Sequence, residues 1–258
     1  MSITDPAVDA VLKDLVASIR TVLGTDIVAI YLYGSYVTGG FDPGVSDLDL
    51  VAVSSAEIKD LDLVSIEQMH RDIVGRHHDW DDRIEVVYIG RATLEAFRMS
   101  AGRLAVISPG EPFHVRDDPP AEWVQNWYLV RETGTALYGP PAPEVVPHVD
   151  TSEFLAATVR YAGQLSRRSL RDASPGDVAY AVLTMCRAVT TVRTQGPVSK
   201  QAGADRALRE FPEWAWLVDA ALQCRLARGA VGFTDQQTRA AATAFIRLLA
   251  AEITRPQT

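Results

Sequence analysis

Residues 27–53 constrain this chain more than any other stretch. Ile27 to Tyr33 (IVAIYLY) is apolar and β-branched enough for a buried strand, and Gly34-Ser35 breaks it abruptly. Past Gly39-Gly40 comes Ser46-Asp47-Leu48-Asp49-Leu50, where a second apolar run, Leu48 to Val53, begins. The break after the first strand leaves backbone N–H groups and the Ser35 hydroxyl to face an anion, and a triphosphate suits it. In the second strand a period of two places Asp47 and Asp49 on one face and Leu48 and Leu50 on the other. Two oxygen ligands then converge on one point, which suits Mg²⁺. A Gly-Ser turn alone reads as a plain loop, and an S-D-x-D run alone as a solvated turn. Joined by one short loop between two strands, they read as a nucleotidyl-transfer site.

The rest of the chain bounds that reading. At 258 residues it can bury one large core or two moderate ones. A net charge of -8 and a pI near 5.1 disfavour a nucleic-acid partner, which needs a basic groove, and suit a small cationic acceptor. Cys186 and Cys224 have neither zinc-site nor disulfide-framework spacing, so a reducing, cytoplasmic setting is expected. No signal-like amino terminus and no run long enough to span a bilayer is present, so no membrane partner is expected. His77 and His78 are adjacent and diverge on any regular element, which argues against a metal pair. Oligomeric state is not legible.

Val8, Val11, Leu12, Leu15, Val16, Ile19, Val22 and Leu23 recur at helical spacing and stop at Gly24, which predicts an amphipathic helix packed on the sheet. A second helix is expected over roughly Glu57–Arg76, capped by Ser54 or Ser55, and then a strand at Arg83–Ile89 in which Glu85 is the sole acid among apolar residues. The order predicts a small mixed sheet with helices against one face. Arg91–Arg103 reads as helical, Ser108–Pro112 and Asp117–Pro120 as turns, and Glu122–Ala136 as a helix with Trp123, Trp127 and Val130 on its core side. The proline-dense segment from Gly139 to Pro147 marks a boundary, giving domains 1–148 and 149–258. Beyond it Ser152–Arg171, Gly176–Arg193, Ala202–Glu210, Pro212–Ala227 and Thr234–Thr254 are candidate helices with no strand among them. The expected class is α+β, a mixed sheet with helices followed by an all-α bundle.

The spacing of G-S, G and D-x-D resembles the nucleotidyltransferase superfamily that includes DNA polymerase β and the antibiotic nucleotidyltransferases. The resemblance implies a polymerase β-like first domain in which Gly34, Ser35 and Ser46 hold the ATP phosphates and Asp47 and Asp49 bind Mg²⁺. It also calls for a third carboxylate on a later strand. Glu85 is the candidate, as general base toward an acceptor hydroxyl that it also contacts, with Asp81 and Asp82 in the preceding turn as weaker alternatives. In the second half, Asp177, Tyr180, Thr184, Arg187 and Thr191 follow a three-or-four spacing and predict a polar helical stripe, either facing a cleft or forming an exposed helix face with ordinary ion pairing. Lys200, just before a helix, offers the point charge that a departing pyrophosphate needs.

Leu183–Arg187 (LTMCR), Thr191, Arg193, Gly196, Ser199-Lys200-Gln201-Ala202 and the Ala136–Pro140 segment look like the aminoglycoside (3'')(9) adenylyltransferases. That resemblance implies that Arg187 and Lys200 reach ATP phosphates and that Asp177 holds a cationic drug. Where streptomycin-accepting members carry a tryptophan and an acid, this chain has Arg168 and Ala173, and Pro112 and Phe113 stand near where another drug-contacting tryptophan is expected. A spectinomycin-like acceptor therefore fits better than streptomycin. The expected activity is Mg²⁺-ATP-dependent O-adenylylation of an aminoglycoside or aminocyclitol. Its rivals are transfer to a protein, an RNA end or another small polyol, or a silent nucleotide-binding module. Intact Asp47, Asp49 and Glu85 argue against the last.

Overall fold

The computed structural model describes residues 5–100, 102–117 and 123–255. Helix α1 (Pro6–Leu23) starts where the Asp5 carboxylate accepts the Ala7 N–H, and it ends at Gly24, whose φ of 55° suits glycine. There follow β1 (Ile27–Tyr33), the single turn α2 (Ser35–Thr38), β2 (Leu48–Ser54), α3 (Leu63–Arg76) and β3 (Ile84–Gly90). Helix α3 begins later than the sequence suggested. Its cap is Asp62, which accepts the Ser65 N–H, whereas Ser54 is still in the strand with its hydroxyl on the Ala56 carbonyl.

Three strands were not legible. Only Arg91–Glu95 (α4) of the expected 91–103 helix forms, and β4 (Leu104–Ser108) and β5 (Glu111–Arg116) follow as a hairpin turning at Gly110. Helix α5 (Val124–Thr133) stops before Gly134, and Thr135–Tyr138 becomes β6; Glu122 lies outside the described residues, as does the expected turn beyond Asp117. The proline-dense segment contains one turn, α6 (Ala142–Val145), because proline is tolerated in a first turn.

The sheet runs β5-β4-β3-β2-β1-β6, with β2 and β3 parallel and the other pairs antiparallel. Ile30, Leu32, Leu48, Leu50, Ala52, Val86 and Tyr88 form one face and pack with the apolar stripes of α1 and α3. The expectation of helices on one face only is corrected by the other face. There Tyr31, Val51, Val53, Val87 and Ile89 are equally buried, α5 packs on β1, and Tyr31 Oη donates to the Pro140 carbonyl at 2.9 Å. All-apolar strands such as IVAIYLY are what a sheet covered on both faces needs.

A buried polar pair ties α3 to β3. His70 Nε2 lies 2.8 Å from Tyr88 Oη beneath the Phe113 ring, and burial pushes the imidazole pKa down to about 4. Above pH ~6.5 the histidine is neutral folded or unfolded, so its contribution is fully present. As pH falls, the unfolded chain takes the proton first, and stability drains away down to the folded value, by about 3 kcal/mol in all. Urea midpoints at pH 7.5 and 4.5 are therefore expected to differ less in His70→Gln than in the wild type. Equal differences would remove His70 as the cause.

The chain divides between Val149 and Asp150 into two compact units. The second holds α7 (Thr151–Arg167), α8 (Pro175–Thr194), α9 (Lys200–Glu210), α10 (Ala215–Leu226) and α11 (Gln236–Thr254). Asp150, Ser174, Ser199 and Asp235 cap four of these helices. Helix α8 is the axis of the bundle and packs against the other four. Among the described residues no helix is long and apolar enough to cross a membrane, and both cysteines are buried free thiols.

Candidate active site

The strand register assembles the acidic site of the first unit. Tyr33 at the end of β1 pairs with Asp49 on β2, and Asp49 pairs with Glu85 on β3, so the three side chains form one row across adjacent strands. Asp47 stands one residue before β2, at the two-residue spacing that keeps it on Asp49's side. Gly34 turns the chain over this row with φ 74°. A Cβ built there would lie 1.9 Å from Asp49 Oδ2. The next residue, Ser35, has its Oγ buried with no hydrogen-bond partner. An orphaned buried hydroxyl beside a glycine turn is a polar group awaiting a ligand.

The loop that delivers Asp47 is pinned from below. Ser46 Oγ accepts the Asp42 N–H at 2.9 Å, and the Ser46 carbonyl accepts two bonds from Arg83, from Nε at 3.0 Å and from Nη2 at 2.7 Å. Arg83 is only 6% exposed, also donates to the Asp79 carbonyl, and lies over the Trp80 ring, which stacks on Phe41. A planar fork of donors suits this task, since one side chain fixes a carbonyl from two directions. Ser46 thus has a structural task beside the one expected of it.

Tyr33 is buried, and its hydroxyl lies between two groups. Asn126 Nδ2 on α5 donates to it at 2.8 Å, and it donates to Glu85 Oε1 at 3.4 Å. Burial first, then the Glu85 and Asp49 carboxylates, holds this phenol well above its ordinary pKa, so it stays protonated. Asp82 is excluded as the third acid of the row. It adopts φ 56° and its carboxylate accepts the Gly110 N–H at the β4–β5 turn, while Asp81 closes the turn from His78. His77 Nε2 is engaged with Asp14 at 3.0 Å.

In the second unit the structure corrects the polar stripe. Thr184 and Thr191 are buried, because α8 is surrounded and has little outer face to give. Asp177 is exposed and builds the capping box of its own helix, accepting the Ser174 hydroxyl at 2.7 Å and the Ser174 N–H at 3.2 Å. What gathers instead is a cationic, aromatic cluster. Lys200 Nζ lies 5.1 Å from the Tyr180 ring centroid, and Tyr180 Oη is 3.1 Å from Tyr161 Oη. Burial and then Tyr180 raise the Tyr161 pKa, against the pull of Arg187 and Arg168. Gly203 lets α9 approach the backbone of α8 at Arg187, where a Cβ would come within 2.7 Å. Arg187, Lys200 and Arg168 therefore share one neighbourhood, and Asp177 sits one helical turn before Tyr180.

Sequence reasoning did not single out Tyr33, Asn126, Arg83 or Tyr161. The available signals were slight: a polar head at the end of an apolar strand, and an amide beside Trp127 on a core-facing helix.

Comparison with known proteins names this arrangement. Residues 12–88 match the nucleotidyltransferase domain, and residues 144–252 match the aminoglycoside adenylyltransferase C-terminal domain. The chain thus resembles the aminoglycoside adenylyltransferases in its second half and carries a nucleotidyltransferase domain in its first. It is a nucleotidyltransferase. Spectinomycin 9-adenylyltransferases of Staphylococcus aureus, strains Mu50 and N315, are each 25% identical over 221 residues, 79% of either chain. The crystal structure of a spectinomycin adenyltransferase from Enterococcus with ATP and spectinomycin shares the fold, with a TM-score of 0.72 at 17% identity over 96% of this chain and 99% of that one. Like those adenylyltransferases, this chain joins a mixed-sheet nucleotidyltransferase domain to a helical carboxyl-terminal region.

Proposed function

We propose that this protein moves AMP from Mg²⁺-ATP onto a hydroxyl of an aminocyclitol, with spectinomycin-like acceptors favoured over streptomycin. One observation carries the proposal: Asp49 and Glu85 are register neighbours directly beneath a glycine turn whose next residue, Ser35, holds a buried hydroxyl with no partner. The spectinomycin 9-adenylyltransferases, similar over 79% of the chain, supply the acceptor class.

Mg²⁺ fits the donors present. Asp47, just before β2, and Asp49 on it offer two carboxylates, and Mg²⁺ takes one or two carboxylates and completes its shell with phosphate oxygens and water. Asp47 and Asp49 would hold it, and when bound it supplies positive charge against the triphosphate.

The chain's own residues account for the transfer. Ser35 Oγ and the Gly34 turn, with Ser46 behind them, seat the phosphates. Glu85 takes the proton of the acceptor hydroxyl, whose oxygen bonds to the α-phosphorus as the bond to the β-phosphate bridging oxygen breaks. Pyrophosphate leaves, and Arg187 and Lys200 are the cations assigned to its charge. Asp177 draws the cationic acceptor, and Arg168, exposed at the end of α7, disfavours a cation beside it.

Pyrophosphate release from Mg²⁺-ATP with spectinomycin, streptomycin and other aminoglycosides tests the reading, with Glu85→Gln as control. We expect release with spectinomycin, little with streptomycin, and a fall of roughly 10² or more in Glu85→Gln while ATP still binds. Wild-type turnover in Glu85→Gln would sink the base assignment. Silence with every acceptor would sink the acceptor class.

A further inference from the structure

We propose that Tyr33, held by Asn126, is a positioning residue that orients the Glu85 carboxylate for the transfer. The inference rests on the reading of Glu85 as the base and adds the two residues that aim it. A carboxylate on a strand rotates about three bonds, and only one of its oxygens can address an acceptor hydroxyl at a time. The row Tyr33-Asp49-Glu85 spans three adjacent strands, so the Tyr33 ring reaches past Asp49 and brings its hydroxyl to Glu85 Oε1 at 3.4 Å. A phenol has one proton to give and lone pairs to receive. Asn126 Nδ2, donating at 2.8 Å, occupies the receiving side, which directs the single proton to Glu85.

Asn126 comes from α5, on the sheet face opposite α1 and α3, and its neighbour Trp127 is fully buried on that face. The amide is thus set by the packing of a helix and the phenol by a strand end, so neither moves with the loops. The arrangement fixes which oxygen is engaged and which way the carboxylate plane faces. Geometry of this kind acts on the chemical step more than on ATP binding, because the aim of the base matters only when the proton moves.

The test is pyrophosphate release with spectinomycin for Tyr33→Phe and Asn126→Leu, each made in the wild type and in Glu85→Gln, with thermal midpoints recorded. Tyr33→Phe keeps ring and volume. We expect each single change to lower kcat roughly tenfold with KM for ATP unchanged, and neither to slow Glu85→Gln further. A kcat within about twofold of wild type for both variants, with Glu85→Gln slow, would overturn this inference and leave the base assignment standing. An equal loss in both backgrounds would also overturn it, by showing a general structural role. Glu85→Gln at the wild-type rate, or no release by the wild type, would overturn the base or acceptor reading and this inference with it.

Discussion

Asp49→Asn is expected to lower pyrophosphate release by at least about a thousandfold while leaving the fold as stable as before, or more so. Asp49 is the register partner of Glu85, and the same row raises the pKa of Tyr33, so two like charges are held side by side on one sheet face. Removing one charge relieves that repulsion, and the amide keeps the volume. The stabilising sign is what separates a functional acid from a structural one, since an acid retained for the fold costs stability when neutralised. The measurement is the rate over a range of Mg²⁺ concentrations together with the thermal midpoint. A variant that turns over at the wild-type rate, or still responds to Mg²⁺ as the wild type does, removes Asp49 from the metal pair.

Gly34→Ala should be nearly as damaging for a different reason. The position combines φ 74° with a site where any Cβ falls 1.9 Å from Asp49 Oδ2, so the alanine is strained and also displaces the carboxylate. Strain and overpacking together are expected to cost about 2–4 kcal/mol. A displacement of about 1 Å at the row should cost roughly 10² in rate. Gly39→Ala is the control. Gly39 has φ 79° but nothing within 4 Å of its Cβ position, so it carries the backbone strain without the collision. It should lose about 1 kcal/mol and keep most of its turnover. Equal losses of rate in the two variants would mean that backbone strain, not the approach to Asp49, is what makes Gly34 necessary.

Legibility followed how local each feature is. Helix α1 was readable because its stripe and its glycine stop are contiguous, and α7–α11 because helical spacing persists over many residues. Strands β4, β5 and β6 were not, since they have only five, six and four residues. A strand that short carries too few positions to declare a period, and β6 finds its hydrogen-bond partner in β1, remote in sequence. Thr184 and Thr191 misled for a related reason. Spacing puts them on one side of α8, but whether that side meets water depends on how many helices surround it.

The sequence by itself determined the chemistry's inventory: a glycine break after a buried strand, two aspartates at strand period, one acid in a later apolar strand, and a helical second half. These are local patterns, and the physics behind them acts within a few residues. Only the tertiary structure decided which of the acids share a row, because register is a property of strand pairs. It excluded Asp82 by tying it to the Gly110 turn. It also brought Asn126 to Tyr33 across 93 residues, and Arg83 to Ser46 across 37. Hydrogen bonds of that span form only once the cores on both faces of the sheet have closed, so no window of sequence could have contained them.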